Sequence, residues 1–269
     1  MPSEFAHKRT WGPTPSYPLI QKYIPPRKDF ISIAGPCSIE STDMINKIAS
    51  HVSLRGATHL RGGCFRAGTY PSSNFGWISE ELMSSYYWAA QNNKLDNIIE
   101  VLDYRDIELV SQYCTCFQVG ARQMQNYTLL KELAKRNKPI FLKRNTGATL
   151  DEWLGAAEWL LYHGAKEIYL IERGSSTHLN HVRWDLSLSI IPAIKELSHV
   201  PVIVDPSHGS GRRDLVHRLT LAGVAAGAKG MLLETHINPA ESLSDAEQAI
   251  SLDDYSFISN RVKKLREIL

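Results

Sequence analysis

The sequence predicts an α/β protein: a (β/α)8 TIM barrel with a short N-terminal extension. Two observations carry that expectation. Eight short, apolar, β-branched segments recur from residue 30 onward, each ended by polar or glycine-rich residues, which is how parallel strands buried on both faces read. Between them lie segments whose apolar residues follow helical spacing, and such alternation gives either a closed barrel or a doubly wound open sheet. No G-x-G-x-x-G follows the first strand, which weakens the dinucleotide-binding form of the open sheet. A length of 269 residues suits one undivided barrel.

The elements follow in order. Residues 1–29 carry Pro13, Pro15, Pro18, Pro25 and Pro26. Proline fixes φ and removes an amide donor, so this density opposes regular helix and predicts an extended arm with room for a short strand. The arm is too short for a regulatory domain, and Tyr17, Leu19, Ile20, Tyr23 and Ile24 would pack it on the body or on a partner subunit. The catalytic barrel, residues 30–269, then offers strands at 30–34, 59–61, 97–102, 116–119, 139–143, 167–171, 201–204 and 230–233. Helical faces are read at Leu129, Leu130, Leu133 and Ala134; at Trp153, Leu154, Ala157, Leu160 and Leu161; and at Leu215, Leu219, Ala222 and Ala226. Thr149 stands three residues before Glu152, the spacing of a capping box, and Gly227 sits where the third helix should stop.

Composition narrows the function. Thirty basic side chains against 28 acidic ones leave a formal charge of +2, and the basic runs are short, at Arg212-Arg213 and Lys263-Lys264. A nucleic-acid binder would show a larger or clustered excess, so the balance favours a small-molecule protein. Four cysteines are too few for a disulfide scaffold at this length. Neither a signal peptide nor an apolar run of membrane-spanning length is present. The expectation is a cytoplasmic, thiol-reduced protein with neither nucleic-acid nor membrane partners.

Residues able to do chemistry cluster just after the predicted strands, and in a βα barrel these positions gather at the C-terminal face. Arg61, Arg122, Lys143 and Arg173 are cations from four strand ends. Converging guanidinium and ammonium groups suit a ligand with phosphate and carboxylate. Cys37, His208, Glu234 and Asp245 are a thiol, an imidazole and two carboxylates, a mixed set able to hold a divalent transition metal. Their spacing forms no short metal motif.

The segments AGPCSIES, LRGG, EVLDYRDIELV, GARQMQN, FLKR, ERG, VIVDPSHGSGRRDLV, AAGAKGMLLETHINP and LSDAEQ, in this order over roughly residues 30–250, resemble the metal-dependent type I 3-deoxy-D-arabino-heptulosonate 7-phosphate (DAHP) synthases, in their compact microbial branch. The resemblance implies a transferase on a (β/α)8 barrel that condenses phosphoenolpyruvate with erythrose 4-phosphate, an aldol-type step toward aromatic amino acids. It implies phosphoenolpyruvate contacts at Arg61, Ala121, Arg122, Lys143 and Arg173. It implies ligation of Mn, Fe, Co or Zn by Cys37, His208, Glu234 and Asp245. Lys143 would either donate a proton near the reacting carbons or act electrostatically. Arg66 keeps the charge of a family lysine that serves both substrates, with Thr69 beside it. The family also implies a homodimer or homotetramer.

The departures lie on the acceptor side. Where the family reads Lys-Pro-Arg-Thr-Ser-Pro, this chain reads Arg66, Ala67, Gly68, Thr69, Tyr70, Pro71, so the arginine that grips the acceptor's phosphate is a glycine. Ser176 stands where a second arginine is usual, and Trp184 where asparagine is usual. Two alternatives therefore stand beside heptulosonate synthesis. One is the same phosphoenolpyruvate chemistry on a less charged aldehyde in a specialised pathway. The other is a non-catalytic relic that still binds phosphoenolpyruvate and metal.

Other residues read as structural. Cys114 and Cys116 look like one face of a strand entry, Cys64 like a packed thiol, and one arginine of the Arg212-Arg213 pair like a partner of Asp214. Asp103 reads either as support for the site or as a helix cap.

Overall fold

Eight parallel strands close on themselves in chain order. In this computed structural model, which describes residues 16–27, 29–66 and 76–269 with only the backbone of Arg66, they are β1 (Ile31–Gly35), β2 (His59–Arg61), β3 (Asp96–Glu100), β4 (Cys116–Val119), β5 (Ile140–Lys143), β6 (Ile168–Glu172), β7 (Val202–Val204) and β8 (Gly230–Glu234). Closure runs through β1 and β8, which pair from Ile31 with Gly230 to Gly35 with Glu234. A helix follows each strand: α1 (Thr42–Ser53), α2 (Glu80–Asn92), α3 (Ile107–Tyr113), α4 (Tyr127–Ala134), α5 (Leu150–Tyr162), α6 (Ile190–Leu197), α7 (Arg213–Ala225) and α8 (Leu252–Arg266). The predicted (β/α)8 class is the observed one.

The strands form because both of their faces are covered. Ile33, Ile98, Phe141, Tyr169, Ile171, Ile203 and Leu232 fill the lumen, and the rings of Phe141 and Tyr169 stack at 4.6 Å. A second core lies between strands and helices. Each fully buried Leu, Ile or Phe side chain there contributes about 1.5–3 kcal/mol. The start of α5 is capped as the sequence suggests, by a reciprocal box of Thr149 and Glu152; Ser251 with Asp254 forms a second box on α8 that the sequence reading did not name. No helix among the described residues is long and apolar enough to cross a membrane.

Three expectations need correction. The arm contains a helical turn, Pro18–Lys22, rather than extended chain throughout; proline is tolerated in a first turn because its missing N–H has no partner there anyway. The most buried face of α7 is Val216, Thr220, Gly223 and Val224; of the face read at Leu215, Leu219, Ala222 and Ala226, Leu219 and Ala226 pack partly buried against the core. Small residues with weak hydropathic contrast blur the register there, although Gly227, at φ +104°, does end the helix. Cys114 and Cys116 do not share a face, since Cys116 points into the lumen and Cys114 into the outer core.

The arm runs toward the N-terminal end of the barrel. Tyr17 bonds to Asp151, and the amides of Leu19 and Ile20 donate to Glu158 at 2.9 and 2.8 Å. Tyr23 Oη accepts from the amide of Ile168 at 3.0 Å, and Arg27 pairs with Asp96 at 2.8 Å. Tyr17, Ile20 and Tyr23 are buried by these contacts, whereas Leu19 and Ile24 stay exposed. The opposite end is left open, and the polar strand ends gather there.

Candidate active site

A cavity of ≈ 440 Å³ opens at the C-terminal ends of the strands, and Cys37, Ala121, His208, Asp245 and all four predicted cations line it. Arg61 closes β2, Lys143 closes β5, Arg173 follows β6 directly, and Arg122 sits on the 3-10 turn Ala121–Gln123 after β4. Arg61, Lys143 and Arg173 are buried. A buried charge is sustained by a partner: Arg61 Nη1 donates to Glu234 Oε1 at 2.5 Å, and Lys143 Nζ lies 3.1 Å from Asp205 Oδ2. Anchored stems and pre-placed charge are what an anionic ligand needs if it is to be oriented without reorganising the site.

Beside the cations, ligand atoms of Cys37, Glu234 and Asp245 lie within 4.8 Å of one another. Cys37 Sγ donates to Asp245 Oδ2 at 3.0 Å. His208, the fourth predicted ligand, is outside that mutual set, yet its Nε2 is 3.0 Å from Glu234 Oε1. Its Nδ1 lies 2.8 Å from Asp205 Oδ2, and its backbone N–H donates to Asp205 Oδ1 at 3.0 Å. A metal bound by the cluster would take the Nε2 lone pair, with the Nδ1 proton then directed at Asp205. Burial opposes charge on Glu234, but His208 and Arg61 outweigh it and hold the carboxyl well below its ordinary range. Burial pushes the Cys37 thiol up, and the charges of Glu234 and Asp245 push it further. One sulfur, two carboxylates and an adjoining imidazole fit a divalent transition metal, whose charge would relieve that crowding.

Local chain geometry holds the cluster together. Gly63 N–H donates to Cys37 O at 3.0 Å, and a Cβ on Gly63 would stand 2.2 Å from that oxygen, so only glycine permits the approach. Ser38 and Ser244 hydroxyls meet at 2.9 Å, and the amide of Leu243 donates to Glu40 at 2.8 Å. These contacts tie the loop bearing Cys37 to the loop bearing Asp245. Gln248 Nε2 donates to Glu234 Oε2 at 2.5 Å.

Several contributors escaped the reading of strand ends. Arg144, beside Lys143, is buried and donates to both oxygens of Glu172 at 2.6 and 3.0 Å; its adjacency to a strand-end lysine was the one available signal. Arg183 lines the cavity from a long excursion after β6, where no periodic pattern marks it. Trp184 also lines the cavity, with the Arg173 guanidinium 5.6 Å from its ring centre. Ser176 is exposed and is not among the lining residues. Arg66 lies in a small hairpin, Phe65–Arg66 with Gly76–Trp77; its side chain and residues Gly68, Thr69 and Tyr70 lie outside the described residues. Arg212 pairs with Asp214 at 2.6 Å, and Asp103 caps a turn by accepting from the Arg105 amide at 2.9 Å.

A profile of the DAHP synthetase I family matches residues 25–269. The chain is 38% identical over 240 residues to a phospho-2-dehydro-3-deoxyheptonate aldolase of Thermotoga maritima, covering 89% of this chain and 71% of that protein. It is 25% identical over 251 residues to a 2-dehydro-3-deoxyphosphooctonate aldolase of Desulfotalea psychrophila, covering 87% and 89%. The crystal structure of a Thermotoga maritima DAHP synthase is similar at a TM-score of 0.86 and 36% identity, over 90% of this chain and 71% of that one. A truncated form of 3-deoxy-D-arabino-heptulosonate 7-phosphate synthase from the same organism gives 0.83 and 36%, over 90% and 88%.

Proposed function

This chain belongs to the DAHP synthetase I family, and from that premise we propose how its residues join phosphoenolpyruvate to erythrose 4-phosphate. The chain is a phosphoenolpyruvate-dependent, carbon–carbon-bond-forming transferase. The observation that carries the assignment of roles is the meeting, in one cavity, of four strand-end cations with Cys37 and Asp245, behind which Glu234 completes the cluster.

Arg61, Arg122, Lys143 and Arg173, with the backbone of Ala121, hold the phosphate and carboxylate of phosphoenolpyruvate, and Arg66 and Thr69 belong to the same substrate-binding proposal. Fixing both anions places the methylene carbon against the aldehyde carbon, converting a bimolecular encounter into an oriented one. The methylene carbon attacks the aldehyde, the new C–C bond forms, and the carbonyl oxygen takes a proton. Water adds to the adjacent carbon, and inorganic phosphate leaves from the resulting intermediate. Cys37, Glu234, Asp245 and His208 would hold a divalent cation, which when bound supplies the Lewis acidity that polarises the aldehyde. Lys143, kept in place by Asp205 at 3.1 Å, holds a proton at Nζ beside the reacting carbons; it either donates that proton or offsets charge there. The same proposal includes a cytoplasmic homodimer or homotetramer, as the family resemblance implies.

A less charged acceptor finds one supporting observation, the indole of Trp184 in the cavity wall. The cation of Arg183 next to it speaks for a phosphorylated one. Phosphate release measured with both substrates and Mn2+, against either substrate alone, tests the proposal. Release that requires both supports it; release from phosphoenolpyruvate alone at the same rate contradicts it.

A further inference from the structure

Arg183 lies well beyond the preceding strand end in sequence, yet it lines both the central cavity and an adjoining groove bordered by Asn180, His181, Arg212 and Asp245. Its backbone is fixed by hydrogen bonds and its stem by packing. Arg183 N–H donates to Ser210 O at 2.8 Å, and Trp184 N–H donates to Gly209 O at 2.9 Å. This stretch therefore rides on the short helix Pro206–Ser210, which also carries His208. Ser175 and Asp185 close the base of the excursion with reciprocal backbone bonds of 2.8 and 3.0 Å. The stem of Arg183 lies across Gly211, where φ is +65° and a Cβ would come within 2.7 Å of Arg183 Cβ. Glycine is thus required at 211 twice over, by the backbone conformation and by the side chain above it.

The head of Arg183 differs from three guanidinium groups around it. Arg61 is committed to Glu234 at 2.5 Å, Arg144 to Glu172 at 2.6 Å and Arg212 to Asp214 at 2.6 Å. Arg183 reaches Asp245 only at 3.8 Å, and its side chain is 47% exposed. At that distance the pair steers the guanidinium but makes no hydrogen bond, so its fork of donors stays open to the cavity and groove it lines. Asp245 belongs to the set that would hold the metal, and both Asp245 and Arg183 line the cavity and the adjoining groove.

We propose that Arg183 binds the phosphate of the acceptor aldehyde, standing in for the arginine replaced by glycine at 68. The inference rests on the condensation assigned above and adds the residue that selects its second substrate. A guanidinium–phosphate contact is a charge-assisted bond, often bidentate, and losing it costs affinity by about 10- to 150-fold.

Initial rates with erythrose 4-phosphate and with unphosphorylated erythrose, at saturating phosphoenolpyruvate and Mn2+, test it in wild type, Arg183→Ala and Arg183→Lys. The expected result is a KM for erythrose 4-phosphate raised about 10- to 150-fold in Arg183→Ala. The KM for phosphoenolpyruvate and the Mn2+ affinity stay at wild-type values, preference for the phosphorylated aldehyde falls by the same factor, and Arg183→Lys recovers part of it. An unchanged KM overturns the assignment. So does an equal loss on both aldehydes, or a loss that follows weakened Mn2+ binding. If wild type condenses erythrose 4-phosphate while Arg183→Ala matches it, only the role of Arg183 falls. If wild type uses erythrose and not its phosphate, the heptulosonate reading falls with it.

Discussion

Replacing Asp205 by asparagine removes one buried charge and tests how the two halves of the site are joined. Asp205 is fully buried, 3.1 Å from Lys143 Nζ and 2.8 Å from His208 Nδ1. At an effective dielectric of about 20, unit charges separated by 3.1 Å attract by about 5 kcal/mol. Asparagine returns part of this, because the desolvation of Asp205 itself is no longer imposed. It also keeps the side-chain oxygen that accepts from the His208 amide, asparagine being as good a cap as aspartate. What remains is a Lys143 ammonium buried without its counter-charge, and breaking a buried pair from one side costs about 3–5 kcal/mol. Losing the carboxylate that orients a ligating imidazole lowers metal affinity about 10- to 100-fold. Urea unfolding of the metal-free protein reads the first effect, and calorimetric titration with Mn2+ the second. Burial raises the Asp205 carboxyl, but His208 and Lys143 outweigh it, so its folded-state pKa is depressed. Its stabilisation is therefore complete above the unfolded carboxylate value and is lost only as pH falls through the acid range. Wild-type stability together with wild-type Mn2+ affinity in Asp205→Asn would refute the linkage.

Further outcomes follow from the same geometry. Cys37→Ala should abolish turnover and weaken Mn2+ binding while phosphoenolpyruvate binding, followed by calorimetry, persists; retained turnover would show that the thiol is not part of the centre. Gly63→Ala, whose Cβ would stand 2.2 Å from Cys37 O, should cost about 1–3 kcal/mol by overpacking and displace Cys37, seen as lower Tm and weaker Mn2+ binding; a neutral effect on both contradicts the close approach. Burial holds His59 neutral, lowering its pKa from 6.5 to about 4. A depressed folded-state value means stability is present above 6.5 and is lost as pH falls toward 4. His59→Asn should flatten Tm against pH in that window, and an unchanged slope would remove His59 from the acid response.

The barrel was legible because strands buried on both faces must be apolar throughout, and strands such as His59–Arg61 and Cys116–Val119 have the bounds their apolar runs suggested. The cations were legible for a related reason: each stands at or just beyond the end of such a run, and parallel strands carry those ends to one side. The α7 face was read only in part, because Gly223 and Thr220 take its most buried positions while Leu219 and Ala226 pack beside them. Closeness of Gly63 to Cys37, like the packing of Arg183 across Gly211, depends on contacts between loops remote in sequence, and no local pattern encodes those. Arg144 was hidden by its neighbour, since two adjacent cations at a strand end look interchangeable until burial separates them. The family resemblance supplied the roles of Cys37, Glu234 and Asp245, which spacing alone left open.

The central claim is that this cavity forms a carbon–carbon bond between phosphoenolpyruvate and a sugar aldehyde. The most direct test follows [2-13C]phosphoenolpyruvate by NMR in the presence of erythrose 4-phosphate, Mn2+ and the purified protein. The account predicts that the enol carbon signal is replaced by that of a hemiketal carbon in a seven-carbon sugar acid phosphate, with one phosphate released per product. Appearance of labelled pyruvate instead, or persistence of the phosphoenolpyruvate signal, would contradict it.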